Sequence, residues 1–85
     1  MARLTRTQLR MLDLLNAKPR RWWTGAELAA AMYDHFRHAA GAHQTAASLV
    51  RRGLIYKQTT AGKVTYAIAP RGTENVRAAR SLGEI

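Results

Sequence analysis

AGAHQTAASLVRRGLIYKQTTAGKVTYAI, residues 40–68, joins a helix pattern, a glycine stop and two strand patterns in succession. Its spacing predicts a helix over about Gly41 to Arg52. Ala42, Ala46, Leu49 and Gly53 recur on one side at the helical period, with Val50 at the edge. The other side carries Gln44, Ala47, Ser48 and Arg51, flanked by His43, Thr45 and Arg52. Gly53 is placed to stop the helix in a left-handed cap, after which Leu54 and Ile55 enter a core. Ile55 to Thr59 and Lys63 to Ile68 then read as two strands. Val64, Tyr66 and Ile68 alternate with Lys63, Thr65 and Ala67, a period of two. Thr60-Ala61-Gly62 supplies the turn, with Gly62 at positive φ. So short a hairpin is marginal alone and is expected to pack on the helices.

Charge sets this stretch apart. The 85 residues hold 14 Lys and Arg against 5 Asp and Glu, a formal net charge of +9. No acid occurs between Asp34 and Glu74, an interval that carries Arg37, Arg51, Arg52, Lys57, Lys63, Arg71 and His35, His38 and His43. An Ala- and Arg-rich composition also follows from a GC-rich genome, so the clustering carries more weight than the total. Surface helices usually interleave Glu with Arg; here none is interleaved, and a polyanionic partner is expected. The length predicts one domain over 1–85, near the lower limit for a core that holds alone. Without cysteine there is neither a disulfide nor a thiolate zinc site to reinforce it. No apolar run has membrane-spanning length and no signal pattern opens the chain, so a cytoplasmic protein with no membrane partner is expected.

Outward from the organising stretch, two helix starts share one design. Thr5-Arg6-Thr7-Gln8 and Thr24-Gly25-Ala26-Glu27 are capping boxes, with Leu4/Leu9 and Trp23/Leu28 as hydrophobic staples. The first predicts a helix burying Leu9, Leu12 and Leu15, with Met11 or Leu14 at the edges, ended by Lys18-Pro19. Arg3, Arg6 and Arg10 follow the same period on the opposite side, read as a solvated polar face, with phosphate contact the minor alternative. The second predicts a helix from about Gly25 to Tyr33 that buries Leu28 and Met32. Between them, Trp22 is read as covering the core; a stacking platform for single strands is the minor alternative, since no further aromatic is interleaved with basic residues nearby. Asp34 to Ala40 either continues the helix or forms a long turn with Phe36 inward. His35 and His38, three apart, with His43 and Asp34 offer a metal site only weakly, since a structural zinc needs four well-placed ligands; surface or DNA-facing histidines are the expectation, with no metal and no cofactor. Pro70 suits the first turn of a C-terminal helix. Its stripe of Val76, Ala79 and Leu82, with Ile85 beyond, fits either the core or a homodimer seam, and Glu74 and Glu84 stand at pairing distance from Arg77 and Arg80.

The order helix, helix, helix, strand, strand, helix resembles the winged helix-turn-helix superfamily: an α+β, mainly α fold of three helices, a two-stranded hairpin wing and a C-terminal helix. Ser48-Leu49-Val50-Arg51-Arg52-Gly53-Leu54-Ile55 is similar to the end of recognition helices in MarR- and PadR-type regulators, and Val64 to Gly72 is similar to the segment that closes their wing. Ala46 and Val50 depart from that pattern, the turn before helix three is longer than usual, and the large dimerisation helices of full MarR proteins are missing. The resemblance implies a small transcriptional regulator that binds double-stranded DNA sequence-specifically, with helix 41–52 in the major groove and wing 56–68 on the backbone or minor groove. Carried over by position, His43, Gln44, Thr45, Ala47 and Ser48 face bases, while Arg51, Arg52, Lys57, Thr60 and Lys63 meet phosphates. Two further readings stand beside it: an architectural, excisionase-like protein that bends DNA, and a winged-helix module for protein partners. No Ser–His–Asp arrangement, carboxylate pair or phosphate-cradling Gly loop points to an enzyme. A core this small leaves little room for an effector, so control by abundance or by a partner protein is expected.

Overall fold

The computed structural model describes residues 3–85. Its elements follow the order α1 (Arg6–Ala17), β1 (Trp23–Thr24), α2 (Gly25–Ala31), α3 (Ala39–Arg51), β2 (Ile55–Thr60), β3 (Lys63–Ile68) and α4 (Pro70–Ser81). Both capping boxes form in full. The Gln8 N–H donates to Thr5 Oγ1 at 3.1 Å and the Thr5 N–H to Gln8 Oε1 at 2.8 Å. Thr24 and Glu27 repeat the pattern at 3.1 and 2.9 Å. Four otherwise orphaned N–H groups are satisfied this way, which matters most for α2, only seven residues long.

Helix bounds shift slightly. α2 stops at Ala31, with Met32 as its cap, and α3 starts two residues before Gly41. The intervening residues are turn, and Phe36 packs inward against Gly41. Gly53, at φ 73°, closes α3: its own N–H donates to Val50 O and the Leu54 N–H donates to Leu49 O. Ala61 and Gly62 both have positive φ, 51° and 77°, and Thr60 pairs with Lys63. The turn is therefore a two-residue one, and β2 runs one residue further than the composition suggested.

The expected two-stranded hairpin gains a third strand. β1 pairs antiparallel with β3, Trp23 opposite Tyr66 and Thr24 opposite Thr65, giving the sheet order β1-β3-β2. Two residues are too few to show a period, which is why the sequence presents this segment as a plain connection. Strand alternation also decides the tandem Trp. Trp23 turns into the core, so Trp22, expected to cover it, faces out at 41% exposure.

The core gathers Met11, Leu12 and Leu15 of α1, Leu28 and Met32, Leu49 of α3, Leu54 and Ile55, Tyr66 and Ile68, and Val76 of α4. Met11 is fully buried rather than marginal. Val76 and Ala79 are spent inside this core, at 1% and 5% exposure, while Leu82 stands out at 75%. They are thus unavailable as the homodimer seam that their stripe suggested, because α4 needs that side to reach the core. The charged pairings differ as well. Arg80 reaches Asp13 at 2.6 Å, which ties α4 to α1, and Glu84 beyond α4 reaches Arg3 ahead of α1 at 3.2 Å.

Candidate nucleic-acid interface

α3 owes its two-sided character to small residues. Ala42, Ala46 and Leu49 are fully buried, and the alanines let the helix lie close to its neighbours. Ala40, Gln44 and Arg51 are exposed on the opposite side; His43, Thr45, Ala47, Ser48 and Arg52 are half-buried on the flanks. Two of these flanking side chains are engaged within the protein. His43 Nδ1 lies 2.8 Å from the Tyr66 hydroxyl on β3. Ser48 Oγ accepts from Gln8 Nε2 of α1 at 2.5 Å. Burial raises the Tyr66 phenol above its ordinary range, so the hydroxyl keeps its proton and remains a partner for the imidazole.

Lys57, Thr60 and Lys63 are all exposed on the hairpin. Lys57 sits opposite Tyr66, and Lys63 opposite Thr60 at the turn. Alternation sends the two lysines to opposite faces of the ribbon. Gly62, Lys63 and Val64 near the turn share one concave cleft with His43, Ala39 and the start of α2. Glu27 also lines this cleft, an acid that the interval in the sequence did not reveal. Its carboxylate lies 2.7 Å from the Arg21 guanidinium. The Thr24 backbone N–H, aided by Arg21, holds it below the usual carboxylate range. Arg51 and Arg52, adjacent in sequence, diverge in space. Arg51 is exposed with Gln44, whereas Arg52 lines a groove between α1 and α4 together with Arg3, Arg71 and the apolar Leu4 and Leu54.

Gln8, Tyr66 and Gly25, which the sequence presents only as capping, strand and helix-start residues, pack against the flanks of α3. Two of them left a signal. The capping box uses only Gln8 Oε1, leaving the amide N–H₂ in need of an acceptor. A buried tyrosine likewise needs a partner for its hydroxyl. Of the histidines, His35 binds Thr7 Oγ1 through Nδ1 at 3.2 Å. Among the described residues, no three His, Asp or Glu side chains gather as a metal site would require.

No protein-family model and no curated protein matches this chain. Solved structures do match. Staphylococcus aureus MepR, a transcription regulator of the multidrug efflux pump MepA, superposes with a TM-score of 0.80 at 24% identity, over 93% of this chain and 57% of its own. MepR in complex with DNA gives 0.81 at 23% identity, over 95% and 65%. Bordetella bronchiseptica BpsR, whose DNA binding is regulated by 6-hydroxynicotinic acid, gives 0.79 at 19% identity, over 98% and 58%. The chain thus spans less than two thirds of the length of each. At these identities the likeness establishes the fold alone: this is a winged helix-turn-helix fold, with β2–β3 as its hairpin wing.

Proposed function

We propose that this chain is a transcription regulator that binds double-stranded DNA sequence-specifically. α3 enters the major groove with its exposed side foremost, Gln44 and Ala47 toward the bases and His43, Thr45 and Ser48 at the margins of that side. Arg51, Lys57, Thr60 and Lys63 meet phosphates, the last three from the wing, whereas Arg52 lies in the groove between α1 and α4. The observation that carries this reading is electrostatic: α3, β2 and β3 contain no acidic residue. Three of the five acids, Asp13, Glu27 and Glu84, are paired with Arg80, Arg21 and Arg3 on other elements. A cationic surface without counter-charge on a helix and an adjoining ribbon suits a regular polyanion better than a protein face of mixed charge. The solved complex of MepR with DNA, a structure of the same fold, supports the assignment.

The proposal treats residues 1–85 as one binding unit, of which 1 and 2 lie outside the described residues. It involves no chemical step and no cofactor. Among the described residues no helix is long and apolar enough to cross a membrane, which agrees with a cytoplasmic site of action. A homodimer on a two-fold site belongs to the proposal, with its seam at the exposed Leu82 and Ile85.

Affinity for random duplexes, measured over a salt series, tests the reading. A steep fall with salt is expected, and Lys63→Ala is expected to reduce the slope of log K against log salt by about 0.9, the signature of one lost phosphate contact. Failure to bind any duplex at low salt would exclude DNA as the partner. Equal affinity for every duplex would move the protein to the architectural class.

A further inference from the structure

α3 is held on both flanks by a polar side-chain bond. On one flank the His43 imidazole meets Tyr66 of β3, the ring centroids 5.6 Å apart. The same imidazole fills the space that a Cβ on Gly25, the first residue of α2, would occupy. One side chain thereby keys α3 to both the wing and α2. On the other flank Gln8 closes the α1 cap with Oε1 and donates to Ser48 with Nε2. Five positions separate His43 from Ser48, so the two anchors lie roughly 140° apart around the helix. The arc between them carries Ala40, Gln44, Ala47 and Arg51. Gln44 is the one uncharged hydrogen-bonding side chain on that arc, and it is exposed. The two alanines extend no further than Cβ and let the helix backbone approach base edges closely.

Building on the DNA-binding reading above, we propose that Gln44 is the specificity-determining residue of α3, and that His43–Tyr66 and Gln8–Ser48 are positioning pairs that aim it. A glutamine amide presents a donor and an acceptor together, which matches N7 and N6–H₂ of adenine in the major groove. His43 Nδ1 and Ser48 Oγ are each engaged by a neighbour in the same chain, which fixes where the two side chains lie. β3 carries Lys63 at the wing tip and Tyr66 at the point where His43 attaches. A phosphate contact at the tip is therefore relayed through one strand to the orientation of the recognition helix. The two positioning pairs set the angle at which Gln44 meets its base pair.

The experiment is selection of binding sites from a random duplex library with the full chain and its variants. Wild type is expected to enrich a motif with adenine at one fixed position. Gln44→Ala should flatten that position alone, with a loss of about 5- to 150-fold in discrimination there, and Gln44→Glu should exchange adenine for cytosine. A new preference of that kind cannot come from unfolding. Tyr66→Phe should keep the motif but lower the ratio of specific to random affinity by about 2- to 10-fold, the worth of one hydrogen bond, with the salt slope unchanged. Ser48→Ala makes the same test on the opposite flank should Tyr66→Phe fail to fold. The proposal is overturned if both Gln44 variants enrich the wild-type motif, if Ser48→Ala erases a motif position, or if the positioning variants leave the affinity ratio intact. Wild type enriching no motif would instead remove the sequence-specific reading on which it rests.

Discussion

At the scale of single residues, two backbone positions show how context overrules propensity. Gly72 lies within α4, where alanine would ordinarily stabilise the helix by about 1 kcal/mol. A Cβ there would run into the Leu54 carbonyl, which the Ala69 N–H holds in place at 3.2 Å, and into the Ile68 side chain. Overpacking against backbone costs roughly 1–3 kcal/mol, so Gly72→Ala should lower stability in a denaturant titration despite its better helix propensity. Ala61 presents the opposite case. Its φ of 51° is left-handed and its neighbour Gly62 has open space around it. Left-handed backbone costs an L-residue roughly 1 kcal/mol. Ala61→Gly should therefore raise the melting temperature slightly, offset in part by greater chain entropy in the unfolded state, and leave DNA binding unchanged. Neither residue is conspicuous in the sequence: a glycine inside a helix reads as a weak point, and an alanine before a glycine reads as ordinary turn.

At the scale of elements, α2 is the part most dependent on its cap. Seven residues nucleate poorly, and the Thr24–Glu27 box with the Arg21 pair supplies much of what keeps the helix wound. Glu27→Gln separates geometry from charge, because a glutamine at the same position already closes the box in α1. The folded state lowers the Glu27 carboxyl below 4.5. A depressed acid contributes stability above its unfolded pKa and loses it as pH falls through the folded value. Thermal melts should thus show wild type above Glu27→Gln at neutral pH, with the gap closing as pH drops below 4.5. The wing is an element of a different kind. Only Ile55 of β2 is buried, so the hairpin is held at its base by β1 and the core while its tip projects. The lysines at the tip also keep an exposed edge from pairing with other chains, which is the alternative reason for their presence.

At the scale of the whole molecule, charge acts in two directions. A net charge of +9 on 85 residues repels itself, and the three Arg–carboxylate pairs are surface pairs of small individual worth. Added salt screens the repulsion and also weakens attraction to DNA. Raising NaCl from low to physiological strength should therefore increase the melting temperature of the free protein while decreasing its affinity for duplex. A protein whose stability fell in parallel with its affinity would be held together by its ion pairs, contrary to the core described above.

Local sequence sets the helix starts, the Gly53 stop, the hairpin and the acid-free stretch. Each depends on residues within a few positions of one another, where capping chemistry, period and turn preference act locally. It also determined which side of α3 is buried, because three small or apolar residues at helical spacing admit one orientation. Tertiary structure alone decided the third strand, the loss of Val76 and Ala79 to the core, and the return of Glu27 to the cleft beside Lys63. It also decided which flanking residues of α3 are spoken for. His43 and Tyr66 are 23 positions apart and Gln8 and Ser48 are 40 apart. Hydrogen bonds between such residues exist only after packing has brought their elements together, and no local pattern encodes them. The free side of α3 is thus wider in the sequence than in the fold, where neighbours on either side have claimed its margins.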